Sequence, residues 1–217
     1  MLTPDELKAK QREVREAFPA NLGLRVHRAI SWLKRASNES DDPDVAFILL
    51  WVAFNASYAE DEGYASGKER DLLDNYFEKI LRLDAEGVIS DAIWTEFSGP
   101  IRVLLDNKYV FQPYWNNLNE VPDYENWERS FGSAKQVARN ALSQSDTKTV
   151  LSIVFNRLYV LRNQLVHGGS TWNSSVNRDQ VQDGANILSF LLPCFINIMM
   201  DNPDEPWGKP YYPVVQD

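Results

Sequence analysis

The sequence predicts an all-α protein. Apolar residues recur at three- and four-residue intervals in most segments, several segments open with helix-capping residues, and no stretch alternates as a strand would. With 44% hydrophobic and 12% aromatic residues, a chain of 217 residues can bury a sizeable core. No internal repeat or linker divides it. We therefore expect an up-and-down helical bundle that forms a single domain over residues 1–217.

The first two helices are indicated by a cap and by an apolar stripe. Residues Thr3–Glu6 form a capping box with Pro4 at the first helical position. A second helix is predicted over 21–37, and its apolar stripe consists of Leu22, Val26, Ile30 and Leu33. His27 lies beside this stripe and is interpreted as an ordinary interfacial histidine.

The remaining helices follow from hydrophobic content and periodicity. Residues 41–59 start with an Asp-Pro signal and are apolar on all sides, which is typical of a buried central helix. An amphipathic helix is predicted over 68–83, and two shorter helices flank a break at 98–100. Helices are also predicted over 133–144, 147–167 and 178–200, the last of them bent at Pro193.

Two segments lack helical periodicity. Residues 112–132 are rich in Asn, Pro and aromatic residues, which predicts an irregular, loop-rich insert. Residues 201–217 are broken by prolines and are predicted to form an extended tail. The single cysteine, Cys194, lies in an apolar run, so we expect a buried and unreactive thiol.

Charge and hydropathy exclude some classes of protein. A formal charge of −9 repels nucleic acid at long range, although it leaves room for a locally positive site. The longest apolar runs, 45–54 and 190–200, are shorter than the ~18–20 residues that cross a bilayer. The first residues are typical of a helix start, so we expect no targeting leader. We expect a soluble cytoplasmic protein without a membrane partner.

The segment 147–167 carries the candidate site at its C-terminal end. Its core face is formed by Leu151, Val154, Leu158, Leu161 and Leu165. Asn163 and His167 belong to a second stripe about half a turn away, and Gly168-Gly169 end the helix. The carbonyls at a helix C-terminus favour a cationic imidazole, which suits His167 as a proton carrier. Asn163 is positioned to orient the ring.

Arg162 does not meet His167 in a regular helix, because five residues separate two side chains by about 140°. The two groups converge if the helix end unwinds at the glycines, or if a second chain contributes one of them. Two-fold pairing of this helix would bring both arginines and both histidines to one cleft. A homodimer is therefore one of the two arrangements that would bring the groups together.

The surroundings of this motif suit a phosphate ligand. No acidic residue occurs between Thr147 and Arg178, although acids make up 31 of the 217 residues. Arg157 and Arg178 are candidates for contacts with a substrate backbone. Trp172, in the following loop, is a candidate for stacking on a base.

The stretch LRNQLVHG resembles the R-x(4–6)-H signature of the HEPN superfamily, and WVAFNASY (51–58) is similar to a core helix of its Apea-like branch. The resemblance covers about 20–200. It implies an α-helical bundle that dimerises with its motif helices facing each other. It also implies a metal-independent endoribonuclease of a toxin–antitoxin or antiphage defence type, with RNA as substrate and an antitoxin or other neutralising protein as possible partner.

The residue types match this chemistry. When the ribose 2′-OH attacks the adjacent phosphate, His167 would act as general base or acid and Arg162 would hold the phosphoryl oxygens. Asn163 would orient the imidazole or contact the phosphate. No cofactor is expected, and two distant histidines with one apolar cysteine form no metal site. No glycine-rich phosphate loop is present.

Two other interpretations stay open. In the first, Arg162 pairs with an acid on another helix and His167 only ends a helix. In the second, the protein is an inactive HEPN-like module that binds nucleotides or docks a protein partner through 112–132 or the tail 206–213.

Overall fold

The structure, a computed structural model, describes residues 2–59 and 69–214. The described chain is all-α and contains no strand. It forms two compact units: a terminal unit of Met1–Ile89 with Val181–Asp217, and an inserted unit of Ser90–Gln180. The prediction of an all-α protein is therefore confirmed, whereas the prediction of a single domain stays a prediction.

The terminal unit contains the first four helices and most of the last one. Helices α1 and α2 pack together, α2 packs along α3, and α3 contacts α4. The predicted capping box is present at Thr3 and Glu6, with the Glu6 amide donating to the Thr3 hydroxyl at 3.3 Å. The bounds are α1 Pro4–Val14, α2 Ala20–Ala36, α3 Pro43–Tyr58, α4 Glu69–Leu83 and α10 Arg178–Asp201, with a 3-10 turn at Arg15–Ala17.

Aromatic rings fill the core of this unit. The ring of Phe54 stacks on Tyr58 at a centroid distance of 4.5 Å and on Phe77 at 6.3 Å. Phe195 of α10 joins the same cluster at 6.4 Å from Phe54. The central position predicted for 41–59 is thus observed. Burial raises the pKa of the Cys194 thiol to about 11, as expected for an unreactive cysteine.

The C-terminal tail, described as far as residue 214, contains no helix and is tied to the terminal unit. Trp207 is buried, and its indole N–H donates to the Asn202 carbonyl at 2.8 Å. The buried Arg25 donates through Nε to the Gly208 carbonyl at 3.1 Å. The predicted extended tail is therefore present over its described part and is packed.

The inserted unit is organised around its longest helix, α9 (Thr147–Val166), which packs against α6, α8 and a 3-10 turn. Helix α5 leads into the unit across its first boundary, and the start of α10 leaves it. The other elements are α5 Val88–Asp91, a π turn at Ala92–Glu96, α6 Ser98–Asp106, the 3-10 turn Lys108–Val110, α7 Gln112–Leu118 and α8 Trp127–Ser143.

The structure corrects two predictions in this unit. Residues 112–132 are not an irregular insert, because α7 covers their start and α8 begins at Trp127 rather than near 133. Rings in this segment pack on one another, with Tyr114 at 5.0 Å from Trp127, and that packing supports helices that lack an apolar period. The expected break at 98–100 is the first turn of α6, and the π turn precedes it.

One described helix, Arg178–Asp201, is long and apolar enough to cross a membrane by length and composition alone. Of its apolar window, 67% is buried inside the protein, and the residues that it buries include Leu188, Leu192 and Phe195. A core helix of a soluble protein has the same properties.

Candidate functional site

Helix α9 is a well-anchored support for the candidate site. At its start, the Asp146 carboxylate accepts from the Thr149 amide at 3.0 Å and from its hydroxyl at 2.7 Å. These bonds lower the pKa of Asp146. The predicted core face is buried along its length except at the last position, Leu165, which is half-buried; the fully covered members are Leu151, Val154, Leu158 and Leu161.

Helix α9 ends in a Schellman motif. The Gly169 amide donates to the Gln164 carbonyl at 2.7 Å, and the Gly168 amide donates to the Leu165 carbonyl at 3.3 Å. Gly168 has a φ of +70°, the left-handed conformation that this motif requires. A Cβ on Gly169 would lie 3.1 Å from the Gln164 carbonyl oxygen. The prediction that the two glycines end this helix is confirmed.

His167 is the C-cap residue of α9 and is exposed. Its backbone N–H donates to the Asn163 carbonyl at 3.0 Å, which holds the Cα in place while the imidazole extends into solvent. The structure therefore leaves the ring accessible to a ligand or to a second chain.

Arg162 is half-buried and does not belong to the buried core face of α9. Its Nη1 donates to the Asn163 Oδ1 at 2.8 Å, and its guanidinium lies 5.8 Å from the centre of the Tyr159 ring. Asn163 thus orients the guanidinium, whereas we expected it to orient the imidazole. Because α9 stays regular through Val166, the guanidinium and the imidazole do not converge within one chain.

Arg157 occupies a different environment from the one expected. It is only 5% exposed, its Nη1 donates to the Val110 carbonyl at 3.4 Å, and its guanidinium lies 4.5 Å from the centre of the Phe111 ring. Burial lowers its pKa to about 10. This placement does not present Arg157 to a substrate backbone, and its packing indicates a structural role in the inserted unit.

The loop after α9 carries the other two predicted binding residues. Trp172 is 73% exposed, in keeping with its predicted place in a surface loop. Arg178, at the start of α10, is half-buried and donates through Nη1 to the Asn173 Oδ1 at 2.8 Å. Asn173 has a φ of +55°, and this bond supports its conformation. Arg178 therefore serves to order the loop that displays Trp172.

The charge of the protein is divided unevenly between its two units. The inserted unit contains nine acidic and nine basic residues, so the whole formal charge of −9 resides in the terminal unit. The unit that contains α9 is therefore neutral, and the acidic pI of the chain does not describe it.

Two features of the inserted unit were missed from the sequence. The first is the pairing of Arg162 with Asn163 described above. The second is a cleft lined by Tyr109, Trp115 and Gln164; the aromatic run 109–115 was the only signal for it.

Among the described residues, no group of three or more His, Cys, Asp or Glu side chains could hold a metal ion.

Comparison with protein families, with curated proteins and with solved structures found no match to this chain. The fold and site therefore define an all-α protein in which the half-buried Arg162 and Asn163 and the exposed His167 lie at the end of a core-packed helix.

Proposed function

We propose that this protein is a HEPN-like, metal-independent endoribonuclease that cleaves RNA by attack of the ribose 2′-OH on the adjacent phosphate. Arg162 and His167 are the catalytic residues, and Asn163 positions the arginine. Because the two groups diverge on one helix, the active unit is a homodimer in which Arg162 of one subunit meets His167 of the other. The protein acts in the cytoplasm, with an antitoxin or other neutralising protein as its partner.

The observation that carries the proposal is the environment of Arg162. Within the part of the chain that the structure describes, no carboxylate forms an ion pair with this guanidinium. A purely structural arginine at this position was expected to pair with an acid on another helix. Arg162 is held instead by a neutral amide and an aromatic face, which orient it and leave its positive charge available for an anion.

Two further features support a site shared between two chains. On the outer surface of α9, the exposed side chains include Tyr159 at 36% and Val166 at 50%, which flank Asn163 and His167. Apolar groups beside exposed polar groups suit a contact with a second helix. The inserted unit, which has no net formal charge, adds nothing to the repulsion that the acidic terminal unit exerts on RNA.

Each group has a defined task in the proposed reaction. The neutral imidazole of His167 accepts the proton of the 2′-OH and, once protonated, donates a proton to the leaving 5′-oxygen at the same site. The Arg162 guanidinium stabilises the charge that develops on the phosphoryl oxygens. The products are a 2′,3′-cyclic phosphate and a free 5′-hydroxyl, so the proton and the leaving group are both accounted for.

The test is incubation of purified protein with total RNA in EDTA, followed by mapping of the ends. Wild type is expected to produce 2′,3′-cyclic phosphate ends, and His167→Ala is expected to lose at least about 100-fold in rate. The matched control is His27→Ala, which replaces the other histidine, also exposed, on α2. Intact RNA with wild type, or equal loss in both histidine variants, would overturn the proposal.

A further inference from the structure

A cleft of about 830 Å³ lies within the inserted unit, on the side of α9 that carries Leu161 and Gln164. Neither Arg162 nor His167 lines it, so it is separate from the proposed catalytic groups. Its volume lies in the range of ligand-binding sites, which is ~300–1,000 Å³.

One wall of the cleft is rigid and aromatic. The Trp115 indole N–H donates to the Tyr109 carbonyl at 2.8 Å, and the Gln164 amide donates to the same carbonyl at 2.5 Å. Tyr109 also packs edge-on against Tyr114 at 5.5 Å. These contacts fix the rings before any ligand arrives, so a planar apolar body would meet a preformed surface.

The loop after α9 forms another part of the lining, and it has unsatisfied polar atoms. Ser170 and Asn177 both line the cleft, and the Ser170 hydroxyl and the Asn177 side-chain Oδ1 are buried without a hydrogen-bond partner among the described residues. An unpaired buried polar atom costs ~1–3 kcal/mol. Rotation of either side chain toward a bound molecule that offers a hydrogen-bond donor would remove that cost.

The charge of the lining indicates a neutral ligand. The side chains of opposite charge that line the cleft are Arg102 and Asp106, both exposed and one helical turn apart on α6. The Asp106 carboxylate already pairs with Lys135 at 2.9 Å. The apolar residues Val103 and Val176 form the rim and are 51% and 86% exposed. A cationic ligand would lose hydration here without gaining a matching partner, and an anionic ligand would gain only a weak, solvent-exposed pair with Arg102.

We propose that this cleft is a binding site for a small, uncharged molecule with an aromatic body and a neutral hydrogen-bond donor. The rings of Tyr109 and Trp115 hold the body, and Asn177 accepts from the donor while Ser170 completes the polar contact. This assignment does not depend on the proposed ribonuclease activity.

The probe is 2-naphthol, with 2-methoxynaphthalene and 2-naphthoate as matched compounds. Binding to the full chain is measured by ligand-observed NMR and by the shift in Tm. We expect saturable binding of 2-naphthol. The methoxy compound, which lacks the donor, and the anionic naphthoate should each bind at least about tenfold more weakly.

Variants locate the binding site. Val103→Trp should obstruct the cleft and weaken binding, whereas Val137→Trp replaces a valine of similar exposure, 52%, that does not line the cleft, and should bind 2-naphthol as wild type does. Asn177→Leu should remove the preference for 2-naphthol over its methyl ether. His167→Ala should bind normally. No saturable binding, equal binding of all three compounds, or binding unaffected by Val103→Trp would overturn the proposal.

Discussion

The Arg162 guanidinium donates a hydrogen bond to the side-chain oxygen of Asn163, 2.8 Å away, on the outer side of α9. The asparagine therefore has a specific task, which is to hold a free cation in one orientation beside the Tyr159 ring. In the proposed reaction this orientation decides whether the guanidinium reaches the phosphoryl oxygens.

The first prediction concerns Asn163→Ala. Loss of the bond to Arg162 should lower kcat/KM for RNA by about tenfold, the equivalent of one hydrogen bond. The free energy of unfolding should fall by less than about 1 kcal/mol, because both side chains are partly exposed. Asn156→Ala is the matched control: this residue lies on the same helix and donates to the Ser152 carbonyl. Equal activity in the two variants would contradict the positioning role of Asn163.

The second prediction concerns the end of α9. Gly168→Ala places a Cβ in the left-handed conformation at φ +70° and should lower the free energy of unfolding by about 1 kcal/mol. Gly132→Ala is the control, because Gly132 lies inside α8 with open space at the Cβ position and should gain about 0.4–1 kcal/mol. Urea unfolding of both variants measures the difference. Effects of the same sign would show that the Schellman motif does not stabilise this helix end.

The third prediction separates a structural from a binding role for Arg157. Arg157→Ala removes packing against Phe111 and should lower the free energy of unfolding by about 2–4 kcal/mol. Arg157→Met keeps most of the buried volume and removes an ion with an unpaired Nε, so its stability should lie within about 1 kcal/mol of wild type or above it. RNA affinity of the methionine variant should equal that of wild type at several salt concentrations. A decreased salt dependence would instead assign Arg157 to the RNA interface.

The fourth prediction follows from His27. The pKa of His27 lies below the usual value for a histidine. The main cause is partial burial, which disfavours the charged ring, and the positive charges of Lys8 and Arg28 lower it further. Between its folded pKa and about 6.5, the unfolded chain binds more protons than the folded one, so stability falls as pH drops through this window. Unfolding free energies at a series of pH values should show a smaller fall for His27→Gln. Lys8→Met, which removes a cation 3.0 Å from Nδ1, should also reduce it. An unchanged pH dependence in both variants would show that His27 does not contribute.

The sequence predicted those elements that depend on local signals. The bounds of α9 were predicted to within a residue because its apolar residues repeat at three- and four-residue intervals and stop at two glycines. The exposure of His167 followed from its place on the helix, about half a turn from the leucines. Each of these features is determined by residues within a few positions of one another.

The features that were missed depend on contacts between distant residues. Helix α7 and the start of α8 form where periodicity is absent, and the Phe111 and Phe131 rings, 5.1 Å apart, pack their segments together. Arg157 is buried by a ring from another element, which no pattern in 147–167 reveals. The pairing of Arg162 with Asn163 was missed because both Arg162 and His167 lie within reach of the Asn163 side chain, and the sequence does not show which of them it contacts. The cleft forms where three segments meet, 102–107, 109–115 and 161–180. Only its aromatic residues were a signal in the sequence.

The central claim is that each active site combines Arg162 of one subunit with His167 of the other. Arg162→Ala and His167→Ala are each expected to be inactive. If the two variants are combined in equal amounts and their subunits exchange, half of the dimers contain one chain of each variant. Each of these mixed dimers has one complete site. Differently tagged chains, isolated together, confirm that mixed dimers have formed.

The measurement is the rate of RNA cleavage by this mixture in EDTA. Our account predicts recovery to about one quarter of the wild-type rate. A mixture that contains mixed dimers and stays as inactive as its parents would contradict it.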